Sequence, residues 1–330
     1  MTSTKLQLSL MMSVNDRSQP VLDGTISPDG IDLVCTPGHP SEIFWRQLKF
    51  KEFDLSEMSL SSLIMATANG NTDWVGIPVF TSRRFFHTGA WIRTDANVGQ
   101  PKDLNGKRVG VPEYQQTAAL WTRGILNHEF GVDPTTIEWW MERPPERSHG
   151  GATGFTPPPG IRLSYIPPDE SIGSMLVSGK LDATLMYLTD RNLVDRSRVS
   201  LEGDPAFRTL FEDPAAEGRR YFQKTGIFPI NHGMVVRRSI YEKHPWVALN
   251  IFNAFRRARD ETAARLRELA STHVELGLLP AGPLSVEPYP YGVKSNQKVL
   301  RTIAEYSHEQ GLTPRVVGLE EVFAPSTLDV

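Results

Sequence analysis

The chain has 330 residues, enough to bury a large core and long for a single domain, so two domains are expected. With 35 Lys and Arg against 38 Asp and Glu, the net charge is -3 and the signs are mixed; no field favours nucleic acid or anionic lipid, and any anion site must be local. The single cysteine, Cys35, excludes an intrachain disulfide and a multi-cysteine metal centre, and it fits a reducing compartment.

Residues 1–12 alternate apolar and polar from Leu6, as a strand does, with no continuous apolar stretch before a small-residue cleavage site. No signal peptide is expected, and no apolar run is long enough to span a bilayer, so the expected location is the cytoplasm. A second strand fits residues 31–35 and a helix residues 41–50. At residues 54–62 a short strand end meets Ser59, Ser61 and Ser62 at the start of a helix through Leu63, Ile64 and Ala68, which Gly70 ends. Strands over 74–80 and 90–93 flank a basic segment, residues 81–88.

From about residue 100 the alternation of strands and helices restarts. Residues 107–111 read as a buried strand between Gly106 and Pro112, and from Gln116 a helical spacing runs through Ala119, Leu120 and Ile125. Between them lie Glu113, Tyr114, Gln115 and Thr117. The free N–H groups of that helix's first turn would face a carboxylate or phosphate beyond the strand end. The Ser59 segment and the helix start at Asp169, Glu170 and Ser171 repeat the device. A strand at 136–141 precedes residues 143–160, a surface loop by its Pro and Gly content. Strands at 161–166 and 182–187 enclose the 171–178 helix, and a polar stretch covers 190–224. The next strand, residues 226–236, is interrupted by Pro229 and carries His232 beside Gly233. A long amphipathic helix follows His244 and Pro245 with Trp246, Leu249, Phe252, Phe255 and Ala258 on one face, while Arg256, Arg257 and Arg259 form a solvated face. A last helix fits residues 296–310, and an apolar stripe in this C-terminal part would serve either core packing or pairing of subunits into a homo-oligomer.

Two open α/β lobes, a restart near residue 100 and a return strand near 226 resemble the type II periplasmic-binding-protein fold. That resemblance implies a two-lobed α/β architecture with a central ligand cleft and two interlobe crossovers, lobe 1 being residues 1–97 plus 230–330 and lobe 2 residues 98–229. More narrowly, Ser56-Glu-Met-Ser-Leu-Ser-Ser62, Ile77-Pro-Val-Phe-Thr-Ser-Arg-Arg-Phe-Phe-His87, Gly106-Lys-Arg-Val-Gly-Val-Pro-Glu-Tyr-Gln-Gln-Thr117, Met175-Leu-Val-Ser-Gly-Lys-Leu-Asp-Ala183 and Pro229-Ile-Asn-His232 resemble the 4,5-dihydroxyphthalate decarboxylase family over roughly residues 5–260. The resemblance implies a lyase of aromatic catabolism that removes CO2 from a hydroxylated aromatic dicarboxylate, giving protocatechuate from the family's namesake. A non-catalytic receptor for an organic acid is the main alternative. A biosynthetic enzyme of the thiamine-pyrimidine type, on the same fold, would need a cysteine-rich iron site that one cysteine does not supply.

Cofactor-free loss of CO2 from a ring requires an acid for the carbon that bears the carboxylate, a partner for the phenol, and donors that anchor the carboxylate that stays. His232 is the first choice for the acid, since imidazole titrates near neutrality and the flanking Pro229 and Gly233 shape the backbone around it. His87 is the alternative acid or the phenol's partner. Glu113 and Glu57 could accept phenolic protons, although helix caps are the plainer reading, and Glu113 is favoured because Tyr114, Gln116 and Thr117 accompany it. Arg83 and Arg84 are candidates for bidentate binding of a carboxylate; being adjacent on an extended segment, only one is expected to face the cleft. Ser59, Ser61, Thr117 and Ser171 would add neutral hydrogen bonds, with Arg162 and Arg191 as weaker candidates. His87, His232, Glu57 and Glu113 would form a metal site only if they converged, and no spacing forces that. Neither metal nor cofactor is expected, and the expected partner is a small aromatic acid.

Overall fold

The computed structural model describes residues 5–280, 282 and 286–330. Residues 1–4, where the segment read above as lacking a signal begins, lie outside the described residues, as do 281 and 283–285. The strands are β1 (Leu6–Met12), β2 (Ile31–Pro37), β3 (Leu55–Ser59), β4 (Trp74–Arg83), β5 (Trp91–Arg93), β6 (Arg108–Val111), β7 (Glu138–Met141), β8 (Arg162–Tyr165), β9 (Ala183–Thr184), β10 (Phe207–Thr209) and β11 (Ile230–Arg237). The helices are α1 (Gln19–Leu22), α2 (Pro40–Phe50), α3 (Leu60–Ala68), α4 (Thr117–Phe130), α5 (Ile172–Val177), α6 (Pro214–Thr225), α7 (Arg238–Lys243), α8 (Trp246–Glu275), α9 (Gln297–Glu309) and α10 (Leu319–Val322).

Among the described residues the strands form two mixed sheets. The first has the order β2-β1-β3-β11-β4, and the second β10-β5-β9-β6-β7-β8. β1, β2 and β3 run parallel, as do β6 to β9, because helices or long connections carry the chain back across the sheet; β11 runs antiparallel to β3 and β4. Strands buried on both faces need apolar side chains throughout, and β3, β4 and β11 are buried almost end to end. The polar exceptions on them, Glu57, Ser59 and His232, are therefore costly unless partnered.

The chain passes between sheets twice, after β4 and before β11, and the two crossings run side by side: the Arg84 N–H donates to the Pro229 carbonyl at 3.2 Å. Trp91–Arg93, placed in lobe 1 by the sequence-based division at residue 97, pairs with β9 and β10 of the second sheet. The return at 229–230 coincides with the start of β11. Pro229 and Gly233 do mark an irregular strand, since the pairing of β11 with β4 shifts register on either side of His232.

Two expectations need correcting. The strand expected over 182–187 shrinks to Ala183–Thr184, where the Thr184 hydroxyl lies within hydrogen-bond reach of Gly110 O and Met186 O as the chain leaves the sheet. Residues 143–160 are not simply a surface loop. Pro and Gly correctly mark the lack of regular structure, but Arg143 and His149 are 2% and 1% exposed, and Asn69 and Asn71 of the α3 end bind Thr153 O and Ala152 O.

α4 and α9 join the lobes from behind. Trp121 Nε1 donates to Ile230 O at 2.9 Å, and Gln310 Nε2 donates to Leu120 O at 3.0 Å. Gly124 lets the Tyr306 ring lie against the α4 backbone where a Cβ would overlap it. No helix of the described residues is long and apolar enough to cross a membrane.

Candidate active site

Alternation along β3 puts Glu57 and Ser59 on one face, and β11 brings His232 opposite Ser59. Glu57 is fully buried and accepts hydrogen bonds from Ser13 N (2.9 Å), Ser13 Oγ (2.5 Å) and Thr81 Oγ1 (2.6 Å), while its Oε1 lies 2.7 Å from His232 Nδ1. Burial alone would raise its pKa, but the contact with His232 and the hydroxyl donors outweigh burial and hold it down at about 2. Glu57 is therefore ionised at neutral pH and fixes the His232 ring. The other imidazole nitrogen, Nε2, is 2.7 Å from Asn231 Nδ2, and the ring meets Phe44 edge to face at 4.7 Å.

On the facing side, Arg143 follows directly on β7. Its Nε donates to Asp195 Oδ1 (2.7 Å), one terminal nitrogen to Glu113 Oε1 (3.1 Å) and the other to Ser41 Oγ (2.6 Å). Burial works against the charged guanidinium, but the two carboxylates hold its pKa above the ordinary value, and Asp195 is held below its own despite burial. Glu113 also accepts from Gln115 Nε2, Ser148 Oγ and His149 N. His149 Nε2 stands 3.4 Å from Glu113, and its Nδ1 lies 3.0 Å from Ser62 Oγ. Burial, only partly countered by Glu113, depresses the His149 pKa, so this imidazole is neutral at pH 7.

Phe44 of α2 stands edge-on to both His232 and His149, and a cavity of about 110 Å3 opens beside them. That is comparable to the ~150 Å3 cavity that accepts one benzene ring. Lobe 1 and its crossover supply His39, Ser41, Phe44, Ser59, Asn231 and His232 to its wall; lobe 2 supplies Gln116, Thr117, Ala118, Arg143, His149, Met186 and Leu188. Ser59 Oγ and Thr117 Oγ1 meet across the lobes at 2.9 Å. Gln116 caps α4 by position, but its side chain bonds Met186 and not the helix, so the first-turn N–H groups of α4 remain available to an anion.

Of the residues singled out by sequence, His232, Ser59, Gln116 and Thr117 line the cavity. Glu57 lies beneath His232, and Glu113 lies behind Arg143. Ser61 braces the wall from behind, its hydroxyl donating to Gln115 O at 2.7 Å. Tyr114 turns away, stacking on Phe155. The start of α5 is filled by the protein itself: Ser171 and Ser174 form a reciprocal cap, and Glu142 accepts from Ile172 N. Arg83 is buried elsewhere, bound to Phe228 O, Pro290 O and Asn296 Oδ1, and Arg84 is exposed beside an adjoining pocket that shares Met186 and Leu188 with the cavity. His87 pairs with Glu217 at 3.1 Å. Of the four residues considered for a metal, His232 and Glu57 bind each other, His87 binds Glu217, and Glu113 binds Arg143 and His149.

Sequence reasoning passed over Arg143, His149, Ser41 and Asp195. One signal was available: Glu142 and Arg143 continue directly from the C-terminal end of a parallel strand, where open α/β sheets place their ligands.

The architecture defines the class first. Over 96% of the chain it superimposes on the periplasmic aliphatic sulphonate binding protein SsuA from Escherichia coli, with a TM-score of 0.51, 16% identity and 91% of that chain covered. The alkanesulfonate-binding protein SsuA from Xanthomonas axonopodis pv. citri gives a TM-score of 0.51 at 12% identity over 98% of this chain and 97% of that one. The fold is the two-lobed periplasmic-binding-protein type. No family model matches the chain. Full-length comparison is more specific: 4,5-dihydroxyphthalate decarboxylase from Comamonas testosteroni is 32% identical over 99% of this chain and 98% of its own, and that from Pseudomonas putida is 36% identical over 66% of this chain and 82% of its own. The chain belongs to the 4,5-dihydroxyphthalate decarboxylase family and is an enzyme.

Proposed function

We propose that the chain is a carboxy-lyase that converts 4,5-dihydroxyphthalate to protocatechuate and CO2 in the interlobe cavity, with His232 as the proton donor. The observation that carries this reading is the buried His232–Glu57 pair at the edge of a ring-sized cavity, in a chain of this family. Each carboxylate of such a substrate has a hydroxyl para to it, so the ring is electron-rich at the carbon that must accept a proton. The carboxylate that remains sits on Ser59, Thr117 and the first-turn N–H groups of α4. The hydroxyl para to the departing carboxylate faces Ser41, whose oxygen accepts its hydrogen bond while electron density moves from the phenol into the ring, and Arg143 holds Ser41 in place.

As substrate enters, Asn231 withdraws from His232 Nε2, which takes up a proton from solvent and passes it to the ring carbon bearing the carboxylate. The bond from that carbon to CO2 then breaks, and its electron pair returns to the ring. Glu57 acts through His232, holding the ring in place by its bond to Nδ1. Glu113 positions Arg143 and His149 and does not touch the substrate. Closure of the lobes around the cavity excludes water. Cys35, the single cysteine, suits a reducing compartment, and we place the reaction in the cytoplasm.

The test is incubation of the purified chain with 4,5-dihydroxyphthalate while CO2 and protocatechuate are followed. Equimolar release of both is expected. Tight binding of the dicarboxylate with no CO2 would overturn the reading in favour of a solute receptor.

A further inference from the structure

Arg123 is a buried cation outside the cavity that makes no ion pair among the described residues. Arg123 of α4 is 2% exposed; its Nε donates to Gln310 Oε1 at 2.9 Å, one terminal nitrogen donates to Tyr114 O at 2.6 Å, and the other has no hydrogen-bond partner. The guanidinium lies 3.7 Å from the centre of the Tyr114 ring. Arg143, equally buried, has two carboxylates. Arg123 has none among the described residues, and burial lowers its pKa, opposed only in part by the Tyr114 phenol. A charge removed from water and left unneutralised is costly, and neutral carbonyl acceptors answer only part of that cost.

Arg123 lines a second pocket, about 310 Å3 in volume, with Tyr114, Pro158, Pro159 and Ile161 among its walls and the exposed Asn127 and Thr135 at its mouth. Asp133 and Glu309 also border it, but both are exposed and already engaged: Asp133 accepts from the Thr135 N–H and hydroxyl, and Glu309 pairs with His128 at 2.8 Å. Water screens these rim charges, whereas Arg123 lies in a low-dielectric floor. His128 and Gln310 add polar edges, both already hydrogen-bonded, and Gly124, Pro134, Pro158, Pro159 and Ile161 supply the apolar walls.

We propose that this pocket binds a planar organic carboxylate, its carboxyl group pairing with Arg123 and its flat body lying against Tyr114, Pro158 and Pro159. A guanidinium edge fits a carboxylate, and a single buried cation, with Asp133 and Glu309 at the rim, suits one negative charge better than a phosphate's two. Tyr114 connects the pocket to Glu113 and so to the wall of the cavity. The inference does not depend on the reaction assigned to the cavity.

The probe is 4-bromobenzoate, soaked into crystals of the full chain and titrated calorimetrically in solution. The bromine should mark the second pocket with the carboxyl group against Arg123. In solution, Thr135→Trp, which fills the mouth at an exposed position, and Arg123→Met should each weaken that binding event at least tenfold. Should Arg123→Met fail to fold, Thr135→Trp still decides the matter. Bromobenzoate found only in the interlobe cavity, binding seen only at crystal concentrations, or a solution titration unchanged by Thr135→Trp would each overturn the proposal.

Discussion

Glu57 grips His232 from below the cavity, Oε1 to Nδ1 at 2.7 Å, and leaves Nε2 as the only imidazole nitrogen on the substrate side. His232→Asn keeps much of the ring's shape and loses the transferable proton. Turnover should fall on the order of 100- to 10,000-fold, the usual worth of a general acid, while the dicarboxylate still binds. Steady-state kinetics together with binding to the variant checks this; undiminished turnover would remove His232 from the reaction.

Glu57→Gln should show itself as a pH dependence of stability. The carboxyl pKa is depressed from 4.5 to about 2 in the folded chain, so its contribution is fully present above 4.5 and disappears as pH falls through about 2. Denaturant unfolding from pH 6 downward should show wild type losing its advantage over Glu57→Gln across that interval. A gap between the two that does not narrow would mean that the carboxylate is not what His232, Ser13 and Thr81 stabilise.

Arg143→Met leaves Glu113 and Asp195 buried without their shared cation. Breaking a buried ionic cluster by removing one member costs about 3–5 kcal/mol, so a large drop in urea midpoint is expected along with loss of turnover. Arg143→Lys should recover only part of the stability, because an ammonium cannot reach Glu113, Asp195 and Ser41 in one plane.

Arg83→Met tests the opposite case. The guanidinium of Arg83 ties carbonyls of Phe228 and Pro290 to Asn296, and burial pushes its pKa down to about 10. Its removal should cost on the order of 2 kcal/mol in unfolding free energy by stranding those acceptors, with KM unchanged. A raised KM with unchanged stability would return Arg83 to the substrate.

Gly124→Ala replaces a poor helix former by the best one, yet should destabilise. Overpacking against Tyr306 costs about 1–3 kcal/mol, which exceeds the ~1 kcal/mol of helix propensity gained. Thermal unfolding of the variant, and of Gly124→Ala combined with Tyr306→Leu, should show the loss and then its partial relief.

The two-lobed fold could be read from strand and helix alternation because each β-α unit announces itself locally, and the site was half legible for the same reason. His232 stood in a strand visibly disturbed by Pro229 and Gly233, and Ser59 and Thr117 marked helix starts. Arg83 misled because residue type indicates what a side chain can bind but not what surrounds it; its acceptors come from residues 228, 290 and 296, far along the chain. Arg143 and His149 were hidden in a segment whose prolines and glycines erase periodicity, and their burial depends on Asp195 and Ser62, which only the folded chain brings near.

Ser41 belongs to lobe 1 yet bonds Asp195 and Arg143 of lobe 2, while Glu42 accepts from Leu193 N and Lys49 donates to Glu146 O. All these links lie along α2 and end on loops, whereas α4 and α9 join the lobes on the other side through packed helix faces. The molecule is therefore built like a book, with its spine at α4 and α9 and its fore-edge at α2. Hydrogen bonds to loops release and re-form more readily than packed helices part, so the covers should swing at α2. Substrate and product would then pass on the His39 and Ser41 side, and every turnover would unfasten the same serine that helps to hold Arg143 in place.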